Sequence, residues 1–133
     1  MALTADPAAL SVVRERVRRW LGRLHWPDNE VDDVVMAVNE AVTIVVEHAL
    51  ITGASAVVRV AGRPFDDTEG RRRVAVGVVG DVSWEAAAAS AILPGFGVLM
   101  LHTCMDSVEL CRDADGTTVL LTSVGVPPLA GRR

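Results

Sequence analysis

A run of branched apolar residues between Val31 and Leu50 constrains the fold of this chain more than any other feature. Its valines recur at the spacing of one helix face, while Met36 and Ile44 lie on the reverse side of the same helix. Because valine is a poor helix former, tertiary packing has to hold this helix. Apolar residues on both sides predict that other elements cover it on both sides.

The segments before and after this helix predict an α+β fold. Apolar residues at helical spacing from Leu10 to Leu24 predict a first, amphipathic helix. The later elements are predicted as strands at Ala56–Ala61 and Arg73–Val79, a loop at Arg63–Gly70, a helix at Val98–Met105, and strands at Val108–Cys111 and Thr118–Thr122 around an Asp115-Gly116 turn. The strand at 73–79 has little polarity on either face, which places it in the middle of the sheet. The expected fold is a two-layer sandwich with helices on one face of a mixed, mainly antiparallel sheet.

Size and charge restrict the classes of function. A chain of 133 residues fits one domain, which we place at residues 1–126, with 127–133 as a flexible tail. A formal charge of −4 without clustered positive excess argues against a nucleic-acid surface, and we interpret Arg14–Arg19 as a solvated helix edge. No segment has the length and apolarity to span a bilayer, so we expect no membrane association and a cytoplasmic location.

The side chains that commonly bind metals or phosphates are sparse. Cys104 and Cys111 do not form a metal-spaced set, and we predict no metal site. Every basic residue is arginine, so no lysine is available as a phosphate-binding point charge.

Four short motifs stand in a fixed order along the chain. They are the helical run 33–49 containing Glu40, then Val79-Gly80-Asp81, then Gly95-Phe96-Gly97, and last Asp115-Gly116-Thr117-Thr118. In this order the chain resembles the GHKL superfamily of histidine kinase, gyrase and Hsp90-type ATPase domains. Within it, the chain is most similar to the anti-sigma-factor serine kinases of bacterial partner-switching modules. The resemblance implies the Bergerat-type sandwich already expected from the pattern of elements.

The resemblance also implies roles for individual residues. Glu40 would be the general base, and Asp81 would accept a hydrogen bond from the adenine amino group, supported by the hydroxyl of Thr117 or Thr118. Gly95 and Gly97 would end the nucleotide lid, where backbone N–H groups receive phosphate. ATP is therefore the expected cofactor.

This chain departs from the family pattern at several positions. The family asparagine that supplies an oxygen to Mg²⁺ stands four residues after the glutamate, and here that position is Ile44. Isoleucine has no ligand atom, so the resemblance makes Mg²⁺ binding doubtful. The glycine expected two residues after Asp81 is Ser83, and the lid at 85–94 has no basic residue. The first strand of the family is predicted to be truncated or absent, because little sequence precedes Asp6-Pro7.

The resemblance implies a regulator of transcription that exchanges a sigma factor for an antagonist protein. We expect its ATP site to be impaired by Ile44. The alternative is an active ATP-dependent serine/threonine kinase that phosphorylates the antagonist. A homodimer is left open, and so is the detached catalytic domain of a sensor kinase, although no helix with a phosphoacceptor histidine accompanies it.

Overall fold

The computed structural model describes residues 1–52, 56–81, 101–113 and 116–129. Its elements, in chain order, are β1 (Ala2–Thr4), α1 (Ala8–Arg23), α2 (Asp28–Thr52), β2 (Val57–Asp66), β3 (Arg72–Gly80), β4 (Ser107–Asp113) and β5 (Gly116–Thr122). Residues 101–104 belong to a further helical segment ahead of β4. Within the described ranges, no helix is long and apolar enough to cross a membrane.

The strands form one five-stranded sheet in the order β1-β2-β3-β5-β4. Strand β3 pairs with β2 on one side and with β5 on the other, which confirms the central position predicted for it. The predicted α+β sandwich is also confirmed, with the helices on one face of the sheet. Each pair among the described strands is antiparallel, so the parallel component of a mixed sheet is not found in this part of the chain.

Helix α2 lies at the centre of the core, as its sequence predicted. Apolar residues around much of its circumference are buried: Val31, Val34, Val35, Ala37, Val38, Ala41, Val42, Ile44, Val45, Val46 and Ala49. Helix α1 packs through a single stripe of Ala9, Val13, Val17 and Leu21, spaced four residues apart on one face. The sheet contributes the inward-facing valines of β2 and β3 to the same cluster.

Strand β2 is longer than its sequence predicted. The expected loop begins at Arg63, but the strand continues to Asp66 and pairs with β3 throughout its length. Pro64 is compatible with this strand because its backbone nitrogen points away from β3. On that side of β2 no N–H donor is needed at this position. The first strand was predicted to be truncated or absent. Strand β1 is present but has only three residues, so it is truncated.

Arg72 joins three parts of the chain around the end of α1. Its guanidinium donates hydrogen bonds to the carbonyl oxygens of Leu24 at 2.6 Å, His25 at 3.2 Å and Pro127 at 3.2 Å. It also lies 5.1 Å from the ring centroid of Trp26, within the range of a cation–π contact. Helix α1 ends here because His25 takes a left-handed conformation, with φ of 53°.

Candidate nucleotide site

Asp81 follows the last residue of β3 and is fixed to the neighbouring strand. Its Oδ1 accepts a hydrogen bond from the Val57 backbone N–H at 2.8 Å, while its own N–H approaches the Val57 carbonyl oxygen at 3.4 Å. The side chain is exposed. One carboxylate oxygen therefore anchors the residue, and the exposed position makes the carboxylate accessible to a ligand.

Thr117 is the buried threonine at the start of β5. Its side chain is only 1% exposed, and its Oγ1 has no hydrogen-bond partner among the described residues. The register places Thr117 opposite Gly80, directly beside Asp81, whereas Thr118 is exposed on the outer face of the sheet. Because buried hydroxyl groups are nearly always hydrogen-bonded, an unpaired one opposite the residue that precedes Asp81 is consistent with a polar ligand at this point. Of the two threonines left open by the sequence, only Thr117 lies on the site side.

Two glycines let the backbones approach each other closely around these residues. A Cβ at Gly80 would come 2.5 Å from Val45 Cγ1, so α2 rests directly on the end of β3. A Cβ at Gly116 would collide with the Gly80 carbonyl oxygen and would lie 3.3 Å from the Asp81 Cα. Val45 therefore locates this part of α2 over the strand ends that carry Asp81 and Thr117.

Glu40 lies about one and a half turns before Val45 on α2, roughly 7.5 Å along the helix axis. It is half-buried, and no ion pair is formed by it within the described part of the chain. The negative charge of Glu40 acts on the thiol of Cys104, which lies at the end of the helical segment 101–104. Burial raises the pKa of the Cys104 thiol, and the negative charges of Asp33 and Glu40 raise it further. Glu40 and Asp33 of α2 thus make the surroundings of Cys104 electronegative.

Ile44 belongs to the hydrophobic core and not to a set of polar ligands. Its side chain is 6% exposed and is part of the central apolar cluster. Two other oxygen-bearing side chains of this part of the helix make contacts of their own: Thr43 Oγ1 donates to the Asn39 carbonyl oxygen at 2.8 Å, and Asn39 Oδ1 accepts from Arg14 at 2.9 Å. No group of three or more His, Cys, Asp or Glu side chains within the described ranges could hold a metal ion. The residues present therefore suit an adenine-like base at Asp81 and Thr117 but do not suit Mg²⁺ at position 44.

The predicted phosphate-binding part of the site cannot be placed. Gly95 and Gly97 lie outside the described residues, as do Ser83 and the lid at 85–94. The structure brings Asp81 and Thr117 together and places α2 above them.

Some features of the site had no signal in the sequence. The anchoring N–H of Val57 is a backbone group 24 residues away from Asp81, and nothing in the side chain of a valine indicates it. The proximity of Cys104 to Glu40 depends on how the helical segment 101–104 packs against α2. The close contact of Val45 with Gly80 joins two residues that are far apart in the sequence, and neither residue type indicates it.

Two solved structures are similar to this chain. The crystal structure of the RsbU and RsbW domains of Rv1364c from Mycobacterium tuberculosis matches with a TM-score of 0.69 and 25% identity, covering 96% of this chain and 33% of that one. This chain therefore spans about a third of the matched chain. The crystal structure of the SiaB–SiaC complex from Pseudomonas aeruginosa matches with a TM-score of 0.54 and 15% identity, covering 92% of this chain and 88% of that one. At such low identity the second match shows the fold alone.

The sequence family described as the histidine kinase-like ATPase domain matches residues 3–123, which is nearly the whole chain. This match agrees with the four sequence motifs and with the helix-on-sheet sandwich formed by the described residues. The chain belongs to the histidine kinase-like ATPase domain family, within the GHKL superfamily.

Proposed function

We propose that this chain is an anti-sigma-factor-like regulator that works by partner switching and keeps an adenine-nucleotide pocket without a functional magnesium position. In this role the protein binds a sigma factor or an antagonist protein, and nucleotide acts mainly as a bound ligand. The single observation that carries the proposal is the combination of a buried Ile44 with an unpaired Thr117 hydroxyl: the metal position is filled by core packing, while the base position keeps polar groups.

The base end of the pocket supports nucleotide binding. Asp81 is positioned by the Val57 backbone, and an adenine amino group could donate to its carboxylate. The Thr117 hydroxyl could then bond to the same ligand or to a bridging water, which would remove the cost of leaving a buried hydroxyl unpaired.

The metal end supports loss of catalysis. Phosphoryl transfer relies on Mg²⁺ to neutralise charge and to fix the reacting groups. A buried isoleucine supplies no oxygen, and Asn39 and Thr43 are engaged by Arg14 and by the helix backbone. Charge neutralisation at the β- and γ-phosphates would therefore be weak.

A second candidate is an active serine/threonine kinase that phosphorylates an antagonist. Retention of Glu40 favours it, because this carboxylate is half-buried on α2 at the family position of the general base. Its negative charge helps to raise the pKa of the Cys104 thiol, which supports a position of Glu40 on the side of α2 that faces the helical segment 101–104. Such a base would accept the proton of a substrate hydroxyl.

Partner switching is supported by the solved neighbours. One of them contains RsbU and RsbW domains, and the other contains SiaB in a complex with SiaC. A homodimer is a further proposal, supported by the outer face of the sheet, where Val79 and Leu120 are 41% and 40% exposed. Light scattering tests it, and a monomeric mass at high micromolar concentration would exclude it.

A phosphorylation assay separates the two candidate functions. The purified chain is incubated with radiolabelled ATP, Mg²⁺ and each antagonist-like protein that co-purifies with it, with Glu40→Gln as the matched control. We expect co-purification of a sigma factor or antagonist without phosphate transfer. Stoichiometric phosphorylation of a partner serine that Glu40→Gln abolishes would establish the kinase instead, and absence of both kinds of partner would refute the regulatory role.

A further inference from the structure

An open groove of about 480 Å³ lies between α1 and the β1–β2 edge of the sheet. The ring of Trp20 forms its floor and lies against Gly62, where an added Cβ would come 2.7 Å from the ring. Arg16, Arg19 and Arg23 line the helix side of the groove. Gly62 lies four residues along β2 from Val58, which is paired with Gly80, so the groove is about 13 Å from the nucleotide site.

The positive charge of the chain is concentrated on this helix. Helix α1 has five arginines and one glutamate, a formal charge of +4, in a chain whose total is −4. Arg19 pairs with Glu15 at 2.6 Å, but Arg16 and Arg23 have no ion pair or hydrogen bond within the described ranges. Both are exposed. Two unpaired guanidinium groups beside an aromatic floor favour carboxylates with some apolar surface.

On the sheet side of the groove, no strand within the described ranges pairs with the outer edge of β2, the edge away from β3, beyond Val60. Val60 bonds to Met1 through both its N–H, at 2.9 Å, and its carbonyl oxygen, at 3.1 Å. Strand β1 goes no further along β2 in the structure. Because backbone groups of alternate residues point to the same side of a strand, the N–H and carbonyl of Gly62 face this open edge. Pro64 has no N–H, so the free edge is limited to a short segment around Gly62.

We propose that this groove binds an extended acidic segment of a partner protein. The segment adds a short strand to β2 at Gly62, and its carboxylates pair with Arg16 and Arg23 over the ring of Trp20. A protein segment fits better than a nucleic acid, since phosphate backbones do not pair with a strand edge and the chain is acidic overall. This binding surface is separate from the nucleotide site and does not depend on the proposed function.

The test uses a fluorescein-labelled peptide of four Val-Glu repeats, with its affinity measured by fluorescence anisotropy. We expect the double variant Arg16→Glu/Arg23→Glu to bind it at least tenfold more weakly than the wild type. Arg59→Glu is the matched control, because Arg59 is exposed on the opposite face of the sheet, and it should change affinity less than twofold. Arg16→Gln/Arg23→Gln gives a milder change of charge, and thermal unfolding monitored by circular dichroism verifies that each variant is folded.

Two further probes test the mode of binding. Peptides N-methylated at one or the other set of alternate residues lose different backbone donors, and strand pairing predicts that one set binds much more weakly than the other. A Val-Lys peptide should not bind. Absence of binding by the Val-Glu peptide, equal affinity of wild type and double variant, equal affinity of both methylated peptides, or tighter binding of a single-stranded DNA of equal charge would overturn the proposal.

Discussion

Replacing Thr117 by valine should make the free protein more stable and its complex with nucleotide weaker. The two side chains have nearly the same shape, so the change removes the hydroxyl while keeping the packing at a position that is 1% exposed. In the free protein Oγ1 has no partner, which makes its burial unfavourable. In a nucleotide complex the same hydroxyl gains a partner. The substitution therefore separates a ligand-binding hydroxyl from one that serves only the fold.

The expected size of both effects follows from the burial of this group. An unpaired buried hydroxyl costs about 1–3 kcal/mol, so Thr117→Val should raise the free energy of unfolding by about 1 kcal/mol. For a chain of this length that corresponds to an increase in Tm of roughly 3–4 °C. Loss of one neutral hydrogen bond to the ligand, about 0.5–1.5 kcal/mol, should weaken nucleotide affinity by about 2- to 13-fold.

The assay is thermal unfolding with and without saturating ADP, combined with calorimetric titration. Thr118→Val is the control, since it makes the same change at the next residue on the exposed outer face of the sheet. We expect no nucleotide-dependent difference for Thr118→Val. A lower Tm for free Thr117→Val would show that the hydroxyl is already hydrogen-bonded, and an unchanged ADP affinity would show that it does not face the ligand.

Three further substitutions test the metal position at residue 44, the contacts of Arg72 at the end of α1, and the loss of stability at low pH. Ile44→Asn and its control Ile44→Ala should each lower the free energy of unfolding by about 2–4 kcal/mol, but only the amide should add Mg²⁺-dependent nucleotide affinity; equal titrations for both would show that position 44 cannot serve the site. Arg72→Ala should lower the free energy of unfolding, measured with denaturant, by about 2–3 kcal/mol, because three backbone carbonyls lose their donor. A loss below roughly 0.5 kcal/mol, the effect of an ordinary surface substitution, would show that these contacts of Arg72 do not stabilise the fold. The hydrogen bond from Arg73 holds the pKa of Asp67 below its usual 3.8, so the folded state binds this proton less tightly than the unfolded state; the stabilisation is present above the unfolded pKa and is lost as pH falls through the folded pKa. Urea midpoints between pH 7 and pH 3 should therefore fall less steeply for Asp67→Asn than for the wild type, and parallel curves would exclude this contribution.

The fold was predictable because its main elements have clear periodicities. The valines of α2 repeat at the spacing of one helix face and are buried as that pattern predicts; on the reverse side Ile44 is buried, but Met36 is 46% exposed. The apolar strand β3 likewise indicated a central position. The end of β2 was not predictable, because Arg63 and Pro64 look like loop residues and only the pairing with β3 shows that the strand continues. Whether a proline is tolerated in a strand depends on which side is free, which local sequence does not determine.

The site was predictable in part. Motif order predicted Asp81 and Thr117 or Thr118 as nucleotide-binding residues, and their role stays a prediction; the structure places Thr117 opposite Gly80, the residue before Asp81. The choice between Thr117 and Thr118 required the register of β5 against β3, because a shift of one residue exchanges the two faces of a strand. The resemblance to the family predicted the missing oxygen at Ile44, whereas the burial of Ile44 in the core could be established only from the packing of α2.

Calorimetric titration of the wild-type chain with ATP, in the presence of Mg²⁺ and in the presence of a chelator, tests the central claim most directly. A pocket that keeps Asp81 and Thr117 but has Ile44 at the metal position should bind ATP with an affinity that changes less than threefold between the two conditions. Undetectable binding would contradict the retained base pocket. An affinity at least tenfold higher with Mg²⁺ would contradict the loss of the metal position.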